Sequence, residues 1–360
     1  MKSVVVDKIA SVTQSCNLGH EVRIATTDIP CEEGVVLVCE ILNNKSTYNT
    51  LELTSGRMAK LARGDVVAGA LGHRQALFGY SGHLPEKVQT GDVIQMLNIG
   101  GVLGICDSVN PEKGRPFDCR VLGVVLQFPF LGERIGVPAR VGYRKLDYGA
   151  ALESRGVPVV ALAGTCMEAG KTAAACAIVA RMRHRGLAVH AFKATGVSLR
   201  RDILAMEDAG ARRSMIFTDL GIVTTTPHCG PALTRTLLSE MSQGQPDVIV
   251  FELGDGLLGA YGVEAILAAE DIRNVLTAVV LSANDPVAAW GGVKLLRERF
   301  TIEPCVVTGP ATDNDAGVRI IREQMNVAAF NAITNGAALA DHIIDRVGLT
   351  AAAPAQAIGE

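Results

Sequence analysis

No uncharged apolar stretch of this sequence reaches the roughly 18 residues that a membrane-spanning helix needs. Nor is one charge in surplus: 34 Lys and Arg stand against 37 Asp and Glu, a formal net charge of −3. So balanced a chain has no electrostatic footprint for nucleic acid or an anionic membrane, and neither is expected as a partner. The nine cysteines include no C-x-x-C pair, and their number is odd. Cys16, Cys31, Cys39, Cys106, Cys119, Cys166, Cys176, Cys229 and Cys305 are therefore read as reduced thiols of a cytoplasmic protein, with a zinc site as the alternative. The opening residues, "MKSVVVDKIASV", hold only a short apolar run ended by Asp7 and Lys8, so no signal peptide is expected. Core-forming material is abundant. With 48% hydrophobic and 20% charged residues, 360 positions are comfortable for two globular domains.

Residues 1–130 read as strands. "EVRIATTD", "GVVLVCEIL", "YNTLEL", "GGVLGIC" and "CRVLGVVLQF" are short, rich in Val, Ile and Leu, and separated by Gly, Asn and Asp. A near-repeat, "KLARGDVVAGAL" and "KVQTGDVIQML", places a Gly-Asp turn before a strand each time, and turn chemistry accounts for both pairs. The pattern predicts a small β-barrel or sandwich. Residues 131–157, glycine-rich with mixed charge, read as a linker. From residue 158 the rhythm changes to apolar strands alternating with helices. "VPVVALAG", "LAVHAF", "DVIVFEL", "LTAVVLSA" and "EPCVVTG" alternate with helical stretches near 172–185, 199–209, 229–242, 286–299 and 314–324. This predicts an α/β domain over 158–349 with a mostly parallel sheet. Residues 350–360 read as a flexible tail.

The chemistry centres on "GTCMEAGKTAAACAIVARM" (164–182). Gly170-Lys171-Thr172 ends like a phosphate-binding loop, but counting back five residues from Gly170 reaches Thr165. The usual G-x-x-x-x-G-K-[ST] therefore misses by one residue. The context is nevertheless a strand, a loop and a helix, which is what a phosphate cradle requires. Gly164, Thr165, Glu168, Ala169, Gly170, Lys171, Thr172 and Ala173 are the predicted nucleotide-binding residues. Lys171 would reach the outer phosphates and Thr172 would ligate Mg²⁺. Cys166, inside the loop, is either a small loop residue or a reactive thiol.

"GTCMEAGKT" resembles the G-T-D-T-x-V-G-K-T loop of dethiobiotin synthetases, in which five residues also separate the glycines. The likeness continues in order through "CAIVARMRHRGLAVHAFKATG", "RRDILAM", "TPHCG" and "DVIVFELGDGLLG", covering about residues 158–300. A neighbouring group of uncharacterised P-loop proteins, with an A-T-G motif at the same place, resembles "FKATG" more closely. The resemblance implies a P-loop NTPase in which Lys171 and Lys193 stabilise charge on the transferred phosphoryl group. It also implies Mg²⁺ held by Thr172, Asp202 and Glu252. His228 is either a substrate contact or a satisfied loop histidine, and in the enzyme reading Asp255 and His228 could select an amine or polar substrate. The chain departs from the synthetases where Ala194 replaces a proline and where Leu253 and Asp255 replace glycines. Phosphate and metal handling carry over, and the substrate does not.

The reading is an Mg-ATP-dependent, ligase-like enzyme that activates a small-molecule carboxylate or carbamate by phosphoryl transfer, acting as a homodimer. Two alternatives stay open: a nucleotide-driven switch or delivery protein, and an acyltransferase that uses the loop for a phosphate-bearing donor. "LSANDP" lacks the lysine of an N-K-x-D guanine-reading motif, which favours ATP over GTP.

Overall fold

The computed structural model describes residues 1–130, 132 and 134–349; the expected tail, 350–360, lies outside them. The chain forms two units. The first comprises Met1–Leu146, Val197–Arg201 and Phe217–Thr225, and the second Asp147–Gly196, Asp202–Ile216 and Thr226 onward. The division is thus not the simple succession of 1–130, linker and 158–349 that the rhythm of the sequence suggests. Part of the supposed linker belongs to the first unit, where Val137–Pro138 pairs with the strand Phe117–Gln127. Two later segments return to it as well.

Within the first unit the β-branched runs form the expected strands, and the hydrogen-bonded path closes on itself. Phe117–Gln127 pairs with Val36–Ile41, which pairs with Val66–Leu71. That strand runs parallel to Val102–Val109, Val102–Val109 pairs with Val93–Met96, and Val93–Met96 returns to Phe117–Gln127. A closed ring leaves these strands without free edges. The unit's core is aliphatic, with Val38, Ile41, Val67, Leu103, Val121 and Val124 all buried. The near-repeat is one turn built twice. Asp65 Oδ2 accepts from the Ala62 N–H at 2.7 Å and Asp92 Oδ2 from the Gln89 N–H at 2.8 Å. Each turn launches a barrel strand.

The second unit is a seven-stranded sheet, parallel throughout. Its order is Arg213–Ile216, Val189–Lys193, Val248–Glu252, Val159–Gly164, Leu276–Ser282, Val306–Thr308 and Ala328–Ala329. The chain leaves the central strand Val159–Gly164 toward one edge, then returns to build the other side, so this strand flanks the topological switch point. Helices Lys171–His184 and Gly336–Val347 cover one face, over a core that includes Val160, Leu162, Val250, Val280, Val306 and Ile343. The second of these helices and the strand Arg213–Ile216 are additions to the sequence reading.

All nine cysteines are free thiols. Burial pushes Cys16, Cys176 and Cys305 up to about 11, so these three stay protonated at neutral pH. Among the described residues, no three His, Cys, Asp or Glu side chains cluster as a metal site. Nor is any helix among them long and apolar enough to cross a membrane.

Candidate phosphate and metal site

The site lies at the carboxyl edge of the second unit's sheet. Gly164 closes the central strand, Thr165 to Gly170 form the turn, and Lys171, Thr172 and Ala173 begin the helix Lys171–His184. Gly170 precedes the helix with φ +90°, a left-handed conformation that costs glycine little. Among the described residues, no side chain caps that end. The first-turn N–H groups, which no helical carbonyl can satisfy, therefore face the turn as an anion site.

Lys171 is almost completely buried, and its ammonium folds back into the loop. Nζ donates to the Cys166 carbonyl at 2.9 Å and to the Asp255 carbonyl at 2.5 Å. Burial holds its pKa below the usual lysine value, with Glu252 opposing that shift. The Thr172 hydroxyl donates to Glu252 Oε2 at 2.9 Å. Glu252 closes its strand in register with Leu162 on one side and Lys193 on the other. It is 3% exposed. Burial raises its pKa, the Asp202 charge raises it further, and Lys193, Lys171 and the Thr172 hydroxyl pull it down. Lys193, 7% exposed, is ion-paired with Asp202 at the start of the next helix.

The predicted residues thus meet as a tight group of two ammoniums, two carboxylates and a hydroxyl. Asp202 sits on Lys193, while Thr172 sits on Glu252. His228, for which the sequence leaves both substrate contact and an ordinary loop role open, is exposed and stacked on Tyr148 with ring centroids 5.0 Å apart. Asp255 contributes its carbonyl to Lys171. Its φ of +68° keeps a glycine-like backbone where the synthetase pattern has glycine. Sequence reasoning gave no role to Gly254 or to the Thr195 hydroxyl, which donates to the Gly254 carbonyl at 3.0 Å. A Cβ at Gly254 would overlap the Thr195 carbonyl oxygen, so the loops after two adjacent strands are clasped there.

The residues present fit a magnesium-bound nucleoside triphosphate. Glu252 and Asp202 are carboxylates crowded in a low-dielectric site where each makes the other's charge costly, and a divalent cation relieves that cost. With the Thr172 hydroxyl they form a hard oxygen donor set of the kind Mg²⁺ prefers.

No family model matches the sequence, and no curated protein matches it. Several solved structures are similar. The signal recognition particle receptor FtsY from Elizabethkingia anophelis is 15% identical with a TM-score of 0.38, over 51% of this chain and 64% of that one. A DUF1611 family protein from Anabaena variabilis is 16% identical with a TM-score of 0.40, over 58% and 63%. Hydrogenase maturation factor HypB from Archaeoglobus fulgidus is 11% identical with a TM-score of 0.38, over 53% and 91%. This chain thus spans less than two thirds of the FtsY and DUF1611 chains. By its own strand order and its strand–loop–helix site, the second unit has a P-loop NTPase fold.

Proposed function

We propose that the protein is an Mg-ATP-dependent enzyme that phosphorylates a small-molecule carboxylate or carbamate, which an amine then attacks. One observation carries this reading: two buried ammoniums, Lys171 and Lys193, flank Glu252 at the carboxyl edge of the sheet. Hydrolysis alone needs charge neutralisation around the phosphates. Transfer to an acid also builds charge on the acceptor side, and a second fixed cation serves that need. Thr172, Glu252 and Asp202 would hold the metal, which would supply Lewis-acid charge neutralisation to the phosphates. Lys171 would exchange the Cys166 and Asp255 carbonyls for phosphate oxygens, and the N–H groups of residues 171–173 would orient them. An oxygen of the substrate acid forms the new bond to phosphorus as the bond to the nucleoside diphosphate breaks. Lys193 would steady the charge between them.

The test is calorimetry and turnover on Lys171→Ala in the full chain. Nucleotide affinity is expected to fall about a hundredfold, or turnover to vanish, in a chain that stays folded. Unchanged affinity and unchanged turnover would sink the reading. Binding of coenzyme A in preference to ATP would favour acyl transfer instead.

The switch is the second reading, and the Lys171 to Asp255 contact favours it. An ammonium that answers to phosphate and also grips the loop after Glu252 ties that loop to the nucleotide state. Stimulation of ATP turnover by a metabolite pool decides for the enzyme; no stimulation decides for the switch.

A further inference from the structure

Three side-chain hydroxyl oxygens are buried around the loop with no hydrogen-bond partner among the described residues: Thr165 Oγ1, Ser282 Oγ and Thr308 Oγ1. Their placement follows from strand register. Gly164 lies opposite Ser282, and Ser282 opposite Thr308. Register partners on parallel strands share a face; Lys193, Glu252 and Leu162 form one row, and Gly164, Ser282 and Thr308 form the next, two residues nearer the carboxyl edge on the same face. That face is the apolar one covered by Lys171–His184, since Leu162, Val280 and Val306, each two residues earlier, belong to its core. Thr165 follows directly, and its N–H donates to the Ser282 carbonyl at 2.9 Å. Ser282 and Thr308 are completely buried. A buried hydroxyl without a partner costs free energy for as long as it stays idle.

The same loop carries two acceptors that share a donor. The carbonyls of Cys166 and Asp255 both accept from the Lys171 ammonium. A phosphate that draws this ammonium outward takes the donor from both. We propose that Thr165, Ser282 and Thr308 are positioning residues of a two-position loop, their hydroxyls idle in the ligand-free chain and engaged by loop carbonyls when phosphate binds. The inference rests on the nucleotide reading of the site. Each arrangement then has its own set of satisfied groups, and the loop changes between two states without a graded series. Ligand binding is strengthened by the hydrogen bonds that the ligand-free state lacks.

Stability and affinity should therefore move in opposite directions. Ser282→Ala, Thr308→Val and the double variant, made in the full chain, are melted without ligand and titrated with MgATP. Removing an idle hydroxyl leaves the ligand-free melting temperature unchanged or raises it by about 2 °C. MgATP affinity should fall about tenfold in the double variant, equivalent to roughly 1.4 kcal/mol. Thr308→Ser, which keeps the hydroxyl, should bind as the wild type does. A fall in the ligand-free melting temperature of Thr308→Val would overturn the proposal, because that hydroxyl would then have a partner already. Wild-type affinity in the double variant would overturn it equally. Should the wild type bind no nucleoside triphosphate at all, the parent reading fails first, and the exchange with it.

Discussion

Residues 150–360 expressed alone are expected to be insoluble, or to melt without a cooperative transition and take up no nucleotide. The reason lies in two short segments, Val197–Arg201 and Phe217–Thr225, which belong to the first unit although the chain of the second surrounds them. Val223 is buried in the first unit's core, and Val197 packs against it. The Glu33 carboxylate accepts from the N–H groups of Val223 and Thr224 at 2.9 and 2.7 Å. The Asn98 amide donates to the Ser198 carbonyl at 2.8 Å, and Glu52 accepts from the Arg200 N–H at 2.8 Å. Truncation removes the core around Val223, at about 2 kcal/mol for a side chain of this size. It also takes the partners of the Val223, Thr224 and Arg200 N–H groups and of the Ser198 carbonyl, at about 1 kcal/mol each. The sum, about 6 kcal/mol, is a large part of the 5–15 kcal/mol that typically holds a domain folded. The complementary fragment, 1–146, fares no better, because Glu52 is completely buried and loses the Arg200 N–H. Circular dichroism, size exclusion and nucleotide titration of 150–360 check this. A monodisperse fragment with a sharp melt and nucleotide affinity would show that the two segments are dispensable.

That interweaving was invisible in the sequence, whereas much of the rest was legible. Strands buried on both faces announce themselves as continuous apolar runs, and "VPVVALAG" and "DVIVFEL" fall where the strands Val159–Gly164 and Val248–Glu252 form. The helix 172–185 was readable from its basic last turn and closing glycine, and it runs Lys171–His184. Segments 197–201 and 217–225 carry no such signal. They are short and irregular, and their allegiance is decided by long-range contacts such as that of Glu33 with Val223. The site was legible where one residue type has one plausible use, as with Lys171 and Thr172. It was not legible for Asp255, whose carbonyl and not its carboxylate meets Lys171. The hydroxyl row was present in the sequence as a pattern. "VHAFK", "VIVFE", "LTAVVLS" and "VVT" each end an apolar strand on a polar residue. Only the register, which sequence does not give, shows that Lys193 stands beside Glu252, and Ser282 beside Thr308 two residues nearer the carboxyl edge.

The Lys193–Asp202 ion pair allows structure and chemistry to be separated by experiment. Lys193→Met removes an ammonium that is almost completely buried, and leaves Asp202, itself only 9% exposed, without its lysine. Breaking one partner of a buried pair costs about 3–5 kcal/mol, so the melting temperature should drop by roughly 10 °C. Asp202→Asn in the same chain removes the stranded charge and keeps an amide oxygen for the metal. Most of the lost stability should then return. Turnover should not return. If Lys193 steadies charge on the transferred group, both the single and the double variant should remain slower by about a hundredfold to a thousandfold. The decisive comparison is therefore between two readouts on one double variant. A double variant that recovers melting temperature and turnover together would reduce Lys193 to a structural counterion for Asp202. The switch would then be the better account, since it needs Lys171 and the metal ligands and gains nothing further from a second lysine. Recovery of stability without turnover is what an enzyme that transfers phosphoryl to a bound acid requires.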